Sequence, residues 1–172
     1  MNRAKHHSSV KNMSILVMMA STLLIACSAH VSIRKPFNVS KANETVITHF
    51  KVTSTGDYSF AMLFARAPTP EEDAKQTEIL GSAYRDGVPI TVNLRINRGN
   101  EKILDQDITS KGVSWAQVFQ HEERMVNVVA RLIRALTLPP GNYTAEFRTL
   151  ADSKEFIGIE SYVEVSYHNP KH

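Results

Sequence analysis

Two groups of side chains in the second half of the chain have the types that metal or carboxylate chemistry requires. His121-Glu122-Glu123 begins like the zinc-binding motif His-Glu-x-x-His, but Met125 stands where the second histidine is needed. Asp105 and Asp107 alternate, so on a strand their carboxylates would share one face. An exposed strand edge has the same pattern. We therefore predict a solvated loop at the first group, an exposed edge at the second, and no metal site.

A third group is suited to binding a protein. Trp115 is the only tryptophan, and Phe119 and Arg124 follow it closely. Tryptophan and arginine are common anchors of protein interfaces. We therefore predict a partner-binding site at Trp115, Phe119 and Arg124. The alternative, that Trp115 and Phe119 close one end of the hydrophobic core, stays open.

Sequence motifs of the common enzyme classes are not found in this chain. There is no Gly-x-Ser-x-Gly nucleophile motif and no glycine-rich phosphate loop, and the single cysteine, Cys27, lies in an apolar N-terminal segment. We therefore predict that the protein is not an enzyme and uses no cofactor.

The N-terminal segment has the pattern of a secretory signal peptide. Residues 13–27, MSILVMMASTLLIAC, form an apolar run preceded by Arg3, Lys5 and Lys11 and by no acidic residue. The apolar part is shorter than the roughly 20 residues that a membrane-spanning helix needs. We predict a signal peptide over residues 1–26.

The end of this run, Leu24-Ile25-Ala26-Cys27, resembles the lipobox of bacterial lipoproteins. The resemblance implies cleavage before Cys27, diacylglycerol on the Cys27 sulfur and acylation of the new N-terminus. Three acyl chains would hold the protein almost permanently, because each buried CH₂ contributes about 0.8 kcal/mol. Ser28, in place of aspartate, resembles outer-membrane lipoproteins and implies the inner leaflet of that membrane, facing the periplasm.

Composition limits the kinds of partner. The chain has 20 Lys+Arg and 17 Asp+Glu, and three of the basic residues lie before residue 27, so the mature charges balance. We therefore expect no nucleic-acid partner. We divide the mature chain into a lipidated tether, residues 27–40, and one domain, residues 41–172. The second half of the tether is predicted as an edge strand, because edges tolerate Pro36.

Apolar alternation predicts strands along most of the domain. They cover residues 44–53, 58–66, 88–97, 101–109, 143–150 and 156–167. Thr69-Pro70-Glu71-Glu72 has the form of a capping box with proline at the first helical position, and Gly81 follows as a stop. Residues 110–124 are predicted as an irregular loop with a short helix. Residues 125–138 fit helical and strand spacing alike, and we favour a strand for their second half.

These elements predict a mainly β protein. The fold class is an antiparallel immunoglobulin-like β-sandwich of about seven to eight strands with one short crossover helix, about Pro70 to Leu80. Gly56-Asp57-Tyr58 and Pro140-Gly141-Asn142-Tyr143 resemble the strand starts of immunoglobulin-like and fibronectin-like modules.

A lipobox followed by a compact β domain resembles the small lipoproteins encoded beside type VI secretion effectors. Those are immunity proteins, and the resemblance implies a toxin effector as the protein partner, with the loop 110–124 covering its site. The alternative is a structural or accessory lipoprotein that docks an envelope or secretion component. Binding of a small ligand or lipid is the third possibility.

Overall fold

The computed structural model describes residues 31–168. The predicted signal peptide, Cys27 and most of the short segment that joins it to the domain therefore lie outside the described residues. The described part contains nine strands and one α-helix, in the order β1 Ser32–Pro36, β2 Thr45–Val52, β3 Gly56–Ala65, α1 Pro70–Leu80, β4 Ile90–Arg98, β5 Glu101–Ser110, β6 Trp115–His121, β7 Arg124–Leu138, β8 Gly141–Thr149 and β9 Ser161–Tyr167.

The strands form two antiparallel sheets that pack face to face. Sheet I has five strands in the order β1-β9-β3-β7-β6, and sheet II has four in the order β2-β8-β4-β5. The prediction of an antiparallel β-sandwich with one crossover helix is confirmed, with nine strands in place of the expected seven to eight. Helix α1 carries the chain from β3 in sheet I to β4 in sheet II.

The main core lies between the sheets and follows the predicted alternation. Every second residue of β3, β4 and β8 points inward and is buried, namely Tyr58, Phe60, Met62 and Phe64, then Ile90, Val92, Leu94 and Ile96, then Tyr143, Ala145 and Phe147. Burying one such large side chain contributes about 1.5–3 kcal/mol, so these rows account for much of the stability of the sandwich.

A tyrosine fixes the turn before β8. The Tyr143 hydroxyl donates a hydrogen bond to the Pro139 carbonyl at 2.8 Å, and the Tyr143 ring stacks on Phe50 with 5.3 Å between centroids. A tyrosine bonded back to the backbone upstream is also a feature of immunoglobulin-type sandwiches.

Helix α1 begins and ends where its local sequence predicts. The Thr69 hydroxyl oxygen accepts from the Glu72 amide at 3.3 Å and donates to the Glu72 carboxylate at 2.8 Å. Pro70 occupies the first turn, and Gly81, with φ of 76°, ends the helix in a conformation that side chains disfavour.

Arg131 of β7 holds the C-terminal end of α1. Its buried guanidinium donates to the Leu80 carbonyl at 3.1 Å, to Ile79 at 2.9 Å and to Val88 at 2.7 Å. Burial lowers the pKa of Arg131 to about 10, which still leaves it charged at neutral pH. The cation faces the negative end of the helix dipole and satisfies carbonyls that the helix leaves free.

The structure corrects the prediction for residues 110–138. The expected irregular loop contains β6, and β7 is a strand throughout, so the two form a hairpin with a turn at Glu122 and Glu123. Glu122 has a φ of 53°, which closes this tight turn.

The start of the domain and the start of β9 also differ from the predicted positions. Strand β1 pairs with β9 at the edge of sheet I, and Phe37 and Val39 are each 1% exposed, so the folded domain begins well before the boundary expected at residue 41. The predicted edge strand is confirmed, although it lies at Ser32–Pro36, earlier than the second half of the tether where it was expected. Strand β9 starts at Ser161, because a 3₁₀ helix, Lys154–Phe156, and Gly158 with φ of 82° bend the chain before it.

Candidate functional site

The hairpin of β6 and β7 folds over the outer face of sheet I. Neighbouring strands lie about 4.8 Å apart, so β6 and β9, with β7 and β3 between them, would be about 14 Å apart in a flat sheet. The Gln117 amide of β6 nevertheless lies 3.1 Å from both carboxylate oxygens of Glu164 in β9. The rings of Phe119 and Tyr162 are 5.3 Å apart. Sheet I therefore curls strongly toward its own outer side.

The curl encloses a second core. Its buried members are Leu63, Phe119, Val126, Val128, Ala130 and Tyr162, with Ala65 and Trp115 at its margin. These residues lie on the opposite face of sheet I from the main core, since Leu63 alternates with Met62 and Phe64.

A polar lock joins the two edge strands across this second core. Glu164 is 1% exposed, and its carboxylate accepts from the Arg34 guanidinium of β1 at 2.6 Å as well as from Gln117 of β6. The same guanidinium lies 4.7 Å from the centroid of the Phe119 ring. The buried charge of Glu164 is thus paired and hydrogen-bonded, as a buried carboxylate requires.

The predicted interface residues separate into two groups. Phe119 is 6% exposed inside the second core, and Trp115 is half-buried at its margin, which agrees with the core-closing alternative. Arg124 is exposed at the start of β7, where it forms an ion pair with Glu160. Of the three, Arg124 therefore remains on an open surface. A partner-binding role for any of them stays a prediction.

Arg124 belongs to a cluster with Glu160, Tyr162 and His121 in which the charges are paired. The Tyr162 hydroxyl and Arg124 both donate to the Glu160 carboxylate, and the His121 ring lies 5.0 Å from that of Tyr162. Burial, followed by the bond to Glu160, raises the pKa of Tyr162 to about 12. Burial alone would raise the pKa of Glu160, but the bonds from Tyr162 and Arg124 outweigh it and the pKa is lowered. The pKa values of Tyr162 and Glu160 both shift away from neutral pH, so the ion pair of Arg124 with Glu160 keeps its charges there.

Beside Arg124 lies an open groove of about 880 Å³, which we name the distal groove. It lies between α1, the start of β7 and residues 155–160, and its lining includes Arg66, Gln76, Ile79, Met125, Ile157 and Ile159. Met125 is 67% and Ile157 is 69% exposed. The distal groove therefore presents large apolar side chains to solvent from two separate elements.

The helical wall of the distal groove is fixed to sheet I. The Gln76 amide donates to the Ala65 carbonyl at 2.9 Å, and its oxygen accepts from the Ala67 amide at 2.9 Å. Arg66 forms an ion pair with Asp73 of α1. Residues 157–160 separate the distal groove from a second groove of about 700 Å³ on the side of Phe37 and Lys41.

Sequence reasoning missed Met125 and Ile157 because both were assigned to regular elements. The available signal was Gly158, since a glycine inside a predicted strand indicates a bend. That bend turns Ile157 outward.

The histidine and carboxylate groups do not form a metal centre in the described part of the chain. Among residues 31–168, no group of three or more His, Cys, Asp or Glu side chains is placed to hold a metal ion. Asn93 donates to Asp107 at 2.8 Å and Lys102 to Asp105 at 3.1 Å, which makes the Asp105–Asp107 pair part of a charge-paired strand surface. The pKa of Asp105 is lowered by Lys102 and then by Asn93.

Membrane topology adds one observation. Within residues 31–168, the α-helical part is too short and too polar to cross a lipid bilayer.

Comparison with known proteins gives a fold relative and a family. No curated protein matches the chain. A crystal structure of a protein from Sulfurospirillum deleyianum is similar to 81% of this chain and to 98% of its own, with a TM-score of 0.59 and 17% identity, a likeness that concerns the fold alone. A family model described as a domain of unknown function matches residues 34–167. The match spans all nine strands except the first residues of β1, and the chain therefore belongs to the DUF5625 family.

Proposed function

We propose that this protein is a lipoprotein of the outer membrane, anchored through acyl chains on Cys27, that binds a protein partner at the distal groove. The partner class that we favour is a type VI secretion effector, which the protein would neutralise as an immunity protein. The observation that carries the binding proposal is the exposure of two groove-lining apolar side chains, Met125 at 67% and Ile157 at 69%.

The distal groove has the composition of an interface. Its lining combines the apolar side chains of Ile79, Met125 and Ile159 with charged ones, among them Arg124 and Glu160, which form an ion pair. A protein interface usually combines apolar and polar side chains in this way. Methionine adapts its shape to a partner, and covering the apolar side chains contributes about 25 cal/mol per Å².

The binding proposal can be tested by affinity capture from envelope extracts. The bait is the mature chain with Cys27→Ser, and mass spectrometry identifies what it retains. We expect one toxin-like protein, retained by the unchanged bait and lost with Met125→Asp combined with Ile157→Asp. Val118→Asp is the matched control, because Val118 is 56% exposed on β6 and faces away from the second core.

The outcomes distinguish the candidate functions. A set of envelope-assembly or secretion proteins that depends on the groove would indicate the structural role. Capture that the groove variant and Val118→Asp weaken equally would contradict the groove as the site. Retention of no protein would contradict protein binding as the function.

The anchor is tested separately. The wild-type chain should sediment with outer membranes and carry acyl chains on Cys27 by mass spectrometry, and Cys27→Ser should move it to the soluble periplasmic fraction. A wild-type chain without acyl groups would contradict the anchor and leave the groove experiment unaffected.

A further inference from the structure

Within residues 31–168 the two sheets end in four edge strands, and one of these lacks the usual protection against pairing with another chain. The other three carry charged residues or proline, namely Lys35 and Pro36 in β1, Lys51 in β2, and Asp105 and Asp107 in β5. Such residues keep a free edge from pairing with a further strand. The sequence of β6, WAQVFQH, contains no proline and no lysine, arginine, aspartate or glutamate.

The register of the β6–β7 hairpin shows which backbone groups of β6 point outward. The Arg66 amide donates to the Asn127 carbonyl at 2.9 Å, so the Asn127 backbone points toward the β3 side and away from β6. Val118 lies opposite Asn127, and its own amide and carbonyl therefore point away from β7. Because this direction alternates along a strand, the same holds for Ala116 and Gln120.

The outward edge of β6 is open. Ala116, Val118 and Gln120 are all exposed, Val118 by 56%. In the described part of the chain β6 pairs with β7 and with no other strand. The outward amides and carbonyls of these three residues are therefore left to water or to a strand from outside the chain.

We propose that β6 is a self-association edge, on which β6 of a second copy of this chain pairs antiparallel about a two-fold axis at Val118. In this register Val118 bonds to Val118 of the second copy through both backbone groups, and Ala116 bonds to Gln120 of the second copy in the same way. The whole strand, Trp115–His121, is then paired. The inference goes beyond the proposed function, because no step in it involves the toxin partner.

The side chains of β6 suit this register. Val118 belongs to neither core, and its apolar side chain would be covered by its symmetry mate. On the opposite face Trp115 would lie against His121 of the second copy, and Gln117 against Phe119. Like charges that face each other destabilise a strand pair, and this pair contains none.

The charges beyond the two ends of β6 favour a second copy as the occupant. The turn after β6 carries Glu122 and Glu123, which are both exposed and form no ion pair among residues 31–168. Antiparallel pairing brings this turn to the start of β6 in the second copy, where Lys111 is exposed. Lys111 already binds Asp86, but an ammonium group has three donors. The two-fold axis repeats this acid–base contact at both ends of the pair.

The distal groove stays open in such a dimer. Its lining residues Met125 and Asn127 belong to β7, one strand inward from the pairing edge. Self-association and capture of a partner at the groove therefore use different surfaces and can be tested separately.

The pairing also determines how two anchored copies would lie. Strand direction reverses across the two-fold axis, so the two chains enter the dimer at opposite ends. Copies anchored at Cys27 would therefore reach one membrane with β6 lying along its surface.

Disulfide trapping tests the register. The protein is the purified mature chain with Cys27→Ser, which has no other cysteine, treated with a mild oxidant. Val118→Cys should form a covalent dimer, because facing hydrogen-bonded residues have Cα atoms about 5.5 Å apart, within the disulfide range of about 4.4–6.8 Å. Gln120→Cys is the matched control, since its two copies would be four residues, about 14 Å, out of register.

The register makes one further demand. A mixture of Ala116→Cys and Gln120→Cys chains should link to each other, although neither should link to itself. Equal linkage of Val118→Cys and Gln120→Cys chains, or no linkage of Val118→Cys, would overturn the proposal.

Sedimentation velocity measures the association without a covalent link. The mature chain with Cys27→Ser should show a dimer that increases with concentration. Val118→Asp places two carboxylates opposite each other and should weaken the dimer at least about tenfold with an unchanged Tm. Ile47→Asp, at a position 44% exposed on β2, should leave the dimer intact.

The outcomes separate this inference from the proposed function. Val118→Asp should lose the dimer while it retains capture at the distal groove. A chain that captures its partner but stays monomeric and forms no disulfide would leave the proposed function standing and overturn this inference. A dimer that Val118→Asp does not weaken would exclude the β6 edge as its interface.

Discussion

The outer faces of the two sheets differ in burial. On sheet I, Leu63 and Val128 are 0% exposed and Glu164 is 1% exposed, although they lie on the side away from the main core. On sheet II the corresponding face is a polar lattice, in which Arg95 lies 3.4 Å from Asp105 and 3.7 Å from Glu146. Antiparallel sheets commonly leave one face to water, and only sheet II does so.

The difference shows that a sheet can supply its own cover. Because β6 and β7 fold back over sheet I, the second core needs no further layer of secondary structure. The cost is one buried carboxylate, Glu164, which is held by Arg34 and Gln117 from opposite edges. On the outer face of sheet II, Asn93 is 6% exposed but is polar, and this face relies on cross-strand pairs instead of an apolar cluster.

The largest expected effect is the loss of the second core. Phe119→Ala should lower the free energy of unfolding by about 3–4 kcal/mol, because it leaves a cavity beside Tyr162. Ile47→Ala, on the outer face of sheet II, should cost about 1 kcal/mol or less. Urea denaturation measures both. Equal losses would show that the enclosed cluster is not a core.

The polar lock should have an intermediate effect. Arg34→Ala leaves Glu164, whose side chain is 2% exposed, with Gln117 as its remaining partner. We expect a loss of about 2 kcal/mol, below the value for a fully buried pair because Arg34 is 27% exposed. Adding Glu164→Gln should restore part of the loss. A double variant less stable than Arg34→Ala alone would contradict the uncompensated charge as the cause.

Alkaline pH should destabilise the domain in part through Tyr162 of the second core. The pKa of Tyr162 is raised from 10.0 to about 12, so between these values the unfolded hydroxyl ionises while the folded one keeps its proton. The stability that this group contributes is complete below pH 10 and is lost as pH rises toward 12. Tyr162→Phe should show a shallower decline over this range in pH-dependent urea denaturation. Identical declines would exclude Tyr162 as the source.

The smallest effect is expected on the outer face of sheet II. Lys102→Ala removes one of the partners of Asp105, which keeps Asn93 and Arg95. The change in the urea midpoint should be near the error of measurement and should vanish in 1 M salt, where exposed pairs are screened. A loss as large as that of Arg34→Ala would remove the contrast between the two faces.

Most of the sandwich could be predicted because the strands of its main core alternate apolar and polar residues in the sequence. Strands β3, β4 and β8 place apolar residues at every second position, and Thr69 with Glu72 specifies the start of α1 locally. The second core obeys another pattern. The inward row of β6 alternates aromatic with polar residues, Gln117 among them, while Val118 on the other side is 56% exposed.

The missed features depend on distant partners. Gln117 can face inward because its amide donates a hydrogen bond to Glu164. Arg131 can lie in the core because its guanidinium donates hydrogen bonds to the carbonyls of Leu80 and Val88. Neither partner is visible in a local window of sequence. Of the predicted interface residues, only Arg124 lines the distal groove, and the apolar side chains around it reach solvent through a hairpin turn and a glycine bend.

The central strands of sheet I have a consequence for how the molecule comes apart. Strand β3 gives Met62 to the main core and Leu63 to the second, β9 gives Val163 and Tyr162, and β7 gives Ile133 and Val128. Because neither core can separate without exposing the reverse side of strands that the other requires, the two cores should melt as one cooperative unit. Their shared strands make a domain with two interiors behave in a single all-or-none transition.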